Sequence, residues 1–173
     1  MRLSLPLTLL TITGCSPQGR PRDFPPPDIG LSQPQTIVAP GVPQLQGFST
    51  AVKVGTTIYL SGQVPLDSTG ALVGRGDLAA QAAQVFANVA KVVRAAKGVP
   101  ADLVHLSVYV VGYETSAVTV VRQASAQYVE PGVPPALTVV GVATLPEAGM
   151  LIAVDGIAVL RGQFPDRMRD RGR

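Results

Sequence analysis

The sequence predicts an α+β domain: five strands and two helices, with both helices on one face of the sheet. Three observations predict it. Runs of β-branched residues flank a Gly55-Thr56 pair, as in a tight hairpin. An apolar stripe at helical spacing runs from Leu78 to Ala96. A second helical stretch stands between an alternating run and a proline cluster, so each helix follows a strand and both fall in one layer. With 173 residues, 46% of them hydrophobic and 14% charged, the chain can bury one core and reads as one domain rather than two.

The elements follow in order. Ala51 to Val54 and Thr57 to Leu60 read as strands, and Gly55 suits the turn between them. Ser61-Gly62-Gln63 ends the second strand, and Asp67-Ser68-Thr69-Gly70 is a further turn. Asp77 caps a helix that runs to about Lys97 and is stopped by Gly98. Its stripe of Leu78, Ala82, Val85, Phe86, Val89, Val92, Val93 and Ala96 is core rather than a ligand surface. Leu103 to Val111 is a strand in which Val104, Leu106, Val108 and Val110 flank His105, Ser107 and Tyr109. A second helix covers Ser116 to Val129, with Val120, Val121, Ala124 and Tyr128 inward; Pro131, Pro134 and Pro135 end it. Ala136 to Val142 and Leu151 to Leu160 are two more strands, joined through Leu145-Pro146.

The flanks differ from this domain, which spans 44–160. Met1 and Arg2 precede an apolar stretch from Leu3 to Ile12, then Thr13, Gly14 and the single cysteine, Cys15. That is the shape of a secretory signal, too short to span a bilayer as a mature helix. Ile12-Thr13-Gly14-Cys15 also resembles a bacterial lipobox, which implies cleavage before Cys15 and lipidation of its thiol. Residues 1–15 would then be a lipoprotein signal, and the protein a lipid-anchored one of the bacterial envelope. It would face the periplasm, with Ser16 leaning towards the outer membrane. An ordinary signal peptide or a misplaced start is the alternative. Residues 16–43, with Pro25 to Pro27 at their centre, read as a proline-rich tether.

Charge excludes some partners. The net charge is +3, and the five arginines and two aspartates of 161–173 account for all of it. The domain itself is neutral, which argues against nucleic acid as a partner despite a pI of about 9.4. The tail reads as a flexible, solvated basic end. His105 is the one histidine and has no second ligand nearby in sequence, so neither a metal nor a cofactor is expected. There is no Ser-His-Asp spacing and no phosphate loop.

Several segments in fixed order carry a resemblance. They are GFSTAVKVG from Gly47, YLSGQVPLD from Tyr59, the helix after Gly76-Asp77, the PPA segment at Pro134, ATLP at Ala143, and IAVDGIAVL from Ile152. Together they resemble the RidA/YjgF family over Gly47 to Leu160. The resemblance implies a chorismate-mutase-like fold, a six-stranded, mainly antiparallel sheet with two helices on one face, and a homotrimer with a central barrel. It also implies a small-molecule cleft between subunits, where deaminating relatives hydrolyse enamines and imines.

The same resemblance implies that the usual chemistry is lost. Where such relatives have an arginine that binds the substrate carboxylate, this chain has Leu137. Val139 stands for a frequent cysteine, Ala153 for a glutamate that positions water, and Phe48 for a tyrosine. Ser61, Gly62 and Gln63 survive, and the Gly62 amide could donate to an anion. Leucine offers a carboxylate no charge-assisted bond, and alanine can neither position water nor relay a proton. The leading expectation is therefore a metabolite-binding protein with a mostly apolar cleft. Two alternatives stand beside it. One is an active deaminase-type hydrolase rebuilt around Arg122 and Asp155; the other is a structural lipoprotein without a ligand. Arg122 reads more readily as a surface residue of its helix, and Asp155 equally as a paired structural carboxylate.

Overall fold

The computed structural model describes residues 33–44, 46–128 and 133–161. The six strands are β1 (Gln35–Ile37), β2 (Ala51–Val54), β3 (Thr57–Gln63), β4 (Leu103–Val111), β5 (Ala136–Val142) and β6 (Ile152–Val159). The helices are α1 (Leu78–Ala95) and α2 (Ser116–Ser125), the latter continued by a 3-10 turn at Ala126–Tyr128. The sheet order is β1-β2-β3-β6-β4-β5, antiparallel throughout except for the parallel β4–β5 pair. Insertion of β6 between β3 and β4 makes those two run the same way. Each parallel return then requires a helical crossover, and both crossovers lie on one face.

Capping and punctuation explain the helix bounds. The Asp77 carboxylate accepts the amides of Ala79 (2.9 Å) and Ala80 (3.1 Å), as the sequence predicts. The far end differs from expectation. The helix closes at Ala96, and Lys97 takes the left-handed conformation at φ 68°, while the Gly98 amide reaches back to the Val93 carbonyl at 2.9 Å. Gly98 is needed for space instead: a Cβ there would meet Leu160 Cδ2 at 2.7 Å. Gly55, at φ 59°, does make the predicted two-residue turn between β2 and β3.

The core lies between the sheet and the helices. Phe86, Val85, Val89, Val92 and Val93 of α1 are fully buried against Ile58, Leu106, Val108, Ile152 and Val154. Each such side chain contributes about 1.5–3 kcal/mol by leaving water. From α2, Ala117 and Val121 join this core, and the Tyr128 ring stacks on Phe86 at 6.5 Å. The other face of the sheet is uncovered in the single chain and carries Tyr59, which is 51% exposed, and Val140, which is 41% exposed.

Three boundaries correct the sequence reading. Part of the stretch read as tether is sheet, because Gln35–Ile37 pairs with Ala51–Lys53 as the edge strand β1. The second hairpin strand does not stop at Leu60. Leu60 pairs with Gly156 and Gln63 with Val154, so one extra residue enters β3 as a bulge and the strand continues. Arg161, expected in a solvated tail, is docked: its Nε lies 3.2 Å from Oδ1 of Asp102, which is 6% exposed and also accepts the Val99 amide. Residues 1–32, with Cys15 and the proposed signal, and residues 162–173 lie outside the described residues.

Candidate functional site

The bulge in β3 builds the site. The extra residue breaks the in-out alternation, so Leu60 and Gln63 are both buried while Ser61 and Gly62 between them are exposed. Neither Ser61 nor Gly62 has a register partner on β6. The Ser61 hydroxyl donates to the Ser49 carbonyl at 2.7 Å, and the Ser61 amide to the Thr50 carbonyl at 3.0 Å. Gln63, only 4% exposed, donates Nε2 to the carbonyls of Thr50 (3.3 Å) and Ser61 (2.9 Å). These bonds tie the bulge to the loop before β2.

Between that loop and the bulge lies a cavity of about 230 Å³. Phe48, Ser61, Gly62 and Gln63, all expected at the cleft, line it. Phe48 is 70% exposed, so its ring forms a wall rather than part of the core. Sequence reasoning missed the other lining residues, among them three that bring polar side chains from separate elements. Thr50 donates its hydroxyl to the Ile37 carbonyl at 2.6 Å. Asn88, from α1, donates to the carbonyls of Val64 and Leu66. Glu147 comes from the β5–β6 loop. Asn88 sits three positions after Val85 on the helix's buried stripe, and that polar break in an apolar face was the available signal.

Gln81 fixes the loop that carries Glu147. It is fully buried on α1, donates to the carbonyls of Gly74 (3.1 Å) and Gly149 (2.8 Å), and accepts the Leu151 amide at 2.7 Å. The Met150 amide closes the turn onto the Glu147 carbonyl. One buried amide thereby serves three backbone groups, two of which, the Gly149 carbonyl and the Leu151 amide, have no other partner among the described residues; the Gly74 carbonyl also accepts the Asp77 amide.

The remaining predicted site residues stand elsewhere in the chain. Leu137 pairs in register with Leu106, and Val139 with Val108, which puts both on the helix side of the edge strand β5. Leu137 is 47% exposed there. Ala153 and Asp155 face the opposite way, in register with Tyr109 and Ser107 on the uncovered face. The Tyr109 hydroxyl donates to Asp155 Oδ2 at 2.8 Å. That bond, then partial burial and the negative charge of Asp155, raise the Tyr109 pKa above its ordinary 10. Arg122 is exposed on α2, in the helix layer. Within one chain the sheet separates it from Asp155, so the two form no joint catalytic site there. His105 Nε2 lies 3.2 Å from the Ser107 hydroxyl. Among the described residues no group of three or more His, Cys, Asp or Glu could hold a metal, and no helix is long and apolar enough to cross a membrane.

Known proteins resemble this chain in both sequence and fold. It is 38% identical over 63 residues to a RutC family protein of Sulfurisphaera tokodaii; that match covers 36% of this chain and half the length of the relative. It is 28% identical to a 2-iminobutanoate/2-iminopropanoate deaminase of Dermatophagoides farinae, over 75% of this chain and 99% of that one. The crystal structure of RidA from Psychrobacter sp. PAMC 21119 superposes with a TM-score of 0.65 at 34% identity, covering 73% of this chain and 99% of that one. The endoribonuclease L-PSP family model matches residues 38–160, from the residue after β1 through the end of β6. The chain belongs to that family, the RidA/YjgF/RutC group.

Proposed function

We propose that this protein binds a small molecule in a cleft completed between subunits, and that it has left the carboxylate-dependent deamination of its relatives. The observation that carries the reading is the makeup of the cavity. The surviving Ser61-Gly62-Gln63 bulge and the Phe48 ring form a wall, and none of the lining residues is cationic. Leu137 takes the position from which, by resemblance, an arginine would reach a substrate carboxylate. A charge-assisted bond of that kind is worth about 1.5–3 kcal/mol. Its loss removes at least tenfold in affinity for a 2-imino acid. Ala153 offers no group to orient water for attack on an imine carbon.

The uncovered sheet face supports assembly. Tyr59 and Val140 are large, half-exposed and directed away from the helices, a surface suited to packing against copies of itself in a trimer. We further propose that Cys15 is lipidated and holds the domain on the periplasmic side of a bacterial envelope membrane.

The test is imine hydrolysis, with the imine generated in place by an amino-acid oxidase. The unaltered protein should be inactive, and a Leu137→Arg, Ala153→Glu double variant should gain turnover. Substantial activity in the unaltered protein would remove the reading.

A further inference from the structure

We propose that the cleft accepts a protonated amine, a small organic cation with N–H donors, rather than a carboxylate. The proposal rests on the cleft being a binding site and adds the charge of its ligand. The argument is an inventory of hydrogens. Thr50 has one side-chain hydrogen, committed to the Ile37 carbonyl. The one on Ser61 is committed to the Ser49 carbonyl. Gln63 has two, given to the carbonyls of Thr50 and Ser61. Asn88 has two, given to the carbonyls of Val64 and Leu66, while its Oδ1 accepts from Gln84. Gln44, at the rim, spends one of its two on the Phe48 carbonyl.

What remains for a ligand is acceptor capacity. The hydroxyl lone pairs of Thr50 and Ser61 are available. So is Gln63 Oε1, to which no donor is directed among the described residues. The orientation of that amide follows from its partners, because only nitrogen can serve two carbonyls. Gln63 is 4% exposed, so an unfilled acceptor on it costs free energy that a donor ligand would recover.

Charge points the same way. Glu147 is the one charged side chain in the lining, and no ion pair holds it among the described residues. Neighbouring cations are directed elsewhere: Arg75 donates to the Ala148 carbonyl, and Lys91 to the Gly41 carbonyl. The exposed face of Phe48 adds a surface that attracts cations. Against these stand two neutral donors, the Gly62 amide in the unpaired part of the bulge and the second hydrogen of Gln44 Nε2 at the rim, too little to hold an anion beside a carboxylate.

The test compares n-butylamine, n-butanol and butyrate, equal in chain length and differing in charge, titrated into the full-length protein at pH 7 and followed by amide NMR. The amine is protonated at this pH, as an alkylammonium should be. Its dissociation constant should lie about tenfold or more below that of butyrate, with Gly62 and Gln63 among the shifted amides. Glu147→Gln should shrink that preference to roughly threefold or less, and Glu147→Lys should reverse it. Equal binding of all three probes, or an unchanged preference in Glu147→Gln, would overturn the charge assignment and leave the cleft as a binding site. No shift at the cleft from any probe would overturn both.

Discussion

Across two neighbouring strands, the Tyr109 hydroxyl donates to Asp155 Oδ2 at 2.8 Å, on the sheet face away from the helices. The bond gives Asp155 a structural partner and predicts an alkaline titration. The phenol pKa is raised in the fold, so the unfolded chain loses this proton first as pH rises. The stabilisation is complete below about pH 10 and disappears as pH climbs through the folded value. Subtracting the ultraviolet titration of Tyr109→Phe from that of the unaltered protein should isolate a phenol with a midpoint above 10. Asp155→Asn should bring that midpoint down. A midpoint at the ordinary value in the folded protein would deny the bond.

Gln81→Leu should be far more damaging than its conservative volume suggests. The variant strands the Gly149 carbonyl and the Leu151 amide, both part-buried around the side chain, while the Gly74 carbonyl keeps the Asp77 amide. Leaving a buried polar group unpaired costs about 1–3 kcal/mol. A loss of about 2 kcal/mol or more is expected in denaturant unfolding, with increased amide exchange at Leu151. A loss under 1 kcal/mol would mean that other groups satisfy this loop.

These residues also mark what the sequence made legible. The α1 stripe, the Asp77 cap and the Gly55 turn were readable because propensity and periodicity agree there. Gln81 and Asn88 were not, because their value lies in backbone groups supplied by loops as many as 70 residues away in the chain. The β3 bulge was hidden for a related reason. Ser61-Gly62 looks like a strand end, and only the register against β6 carries the chain on to Gln63. Gly156 left no sequence signal either. It is required because the His105 carbonyl oxygen would stand 2.5 Å from a Cβ, a closeness created by strand pairing. Of the cavity lining, Phe48 and the segment Ser61–Gln63 were named through resemblance, whereas Glu147 lay in a turn that gave no chemical pattern.

Lys97→Gly should stabilise the protein. Lys97 takes φ 68°, a left-handed conformation that costs an L-residue about 1–2 kcal/mol and glycine almost nothing. The gain is reduced by the larger entropy glycine has when unfolded, so a net increase of about 0.5–1 kcal/mol is expected. Thermal or urea unfolding reads it directly. Gly98→Ala, one residue on, should do the opposite, because its Cβ would collide with Leu160 and Val93. Similar behaviour of the two variants would contradict the way α1 ends.

Gly62→Ala separates folding from binding. A Cβ at Gly62 would meet no atom within 4 Å, and its φ lies outside the left-handed region. Stability should therefore stay within about 0.5 kcal/mol of the unaltered protein. The added methyl group would nonetheless stand beside Ser61 and Gln63 at the wall of the cavity, where a ligand must approach the backbone closely. Affinity for n-butylamine should fall by roughly fivefold or more while the melting temperature holds, since a misplaced contact of that size is worth about 1 kcal/mol. Loss of both together would make Gly62 a requirement of the bulge itself. Retention of both would place the ligand away from it.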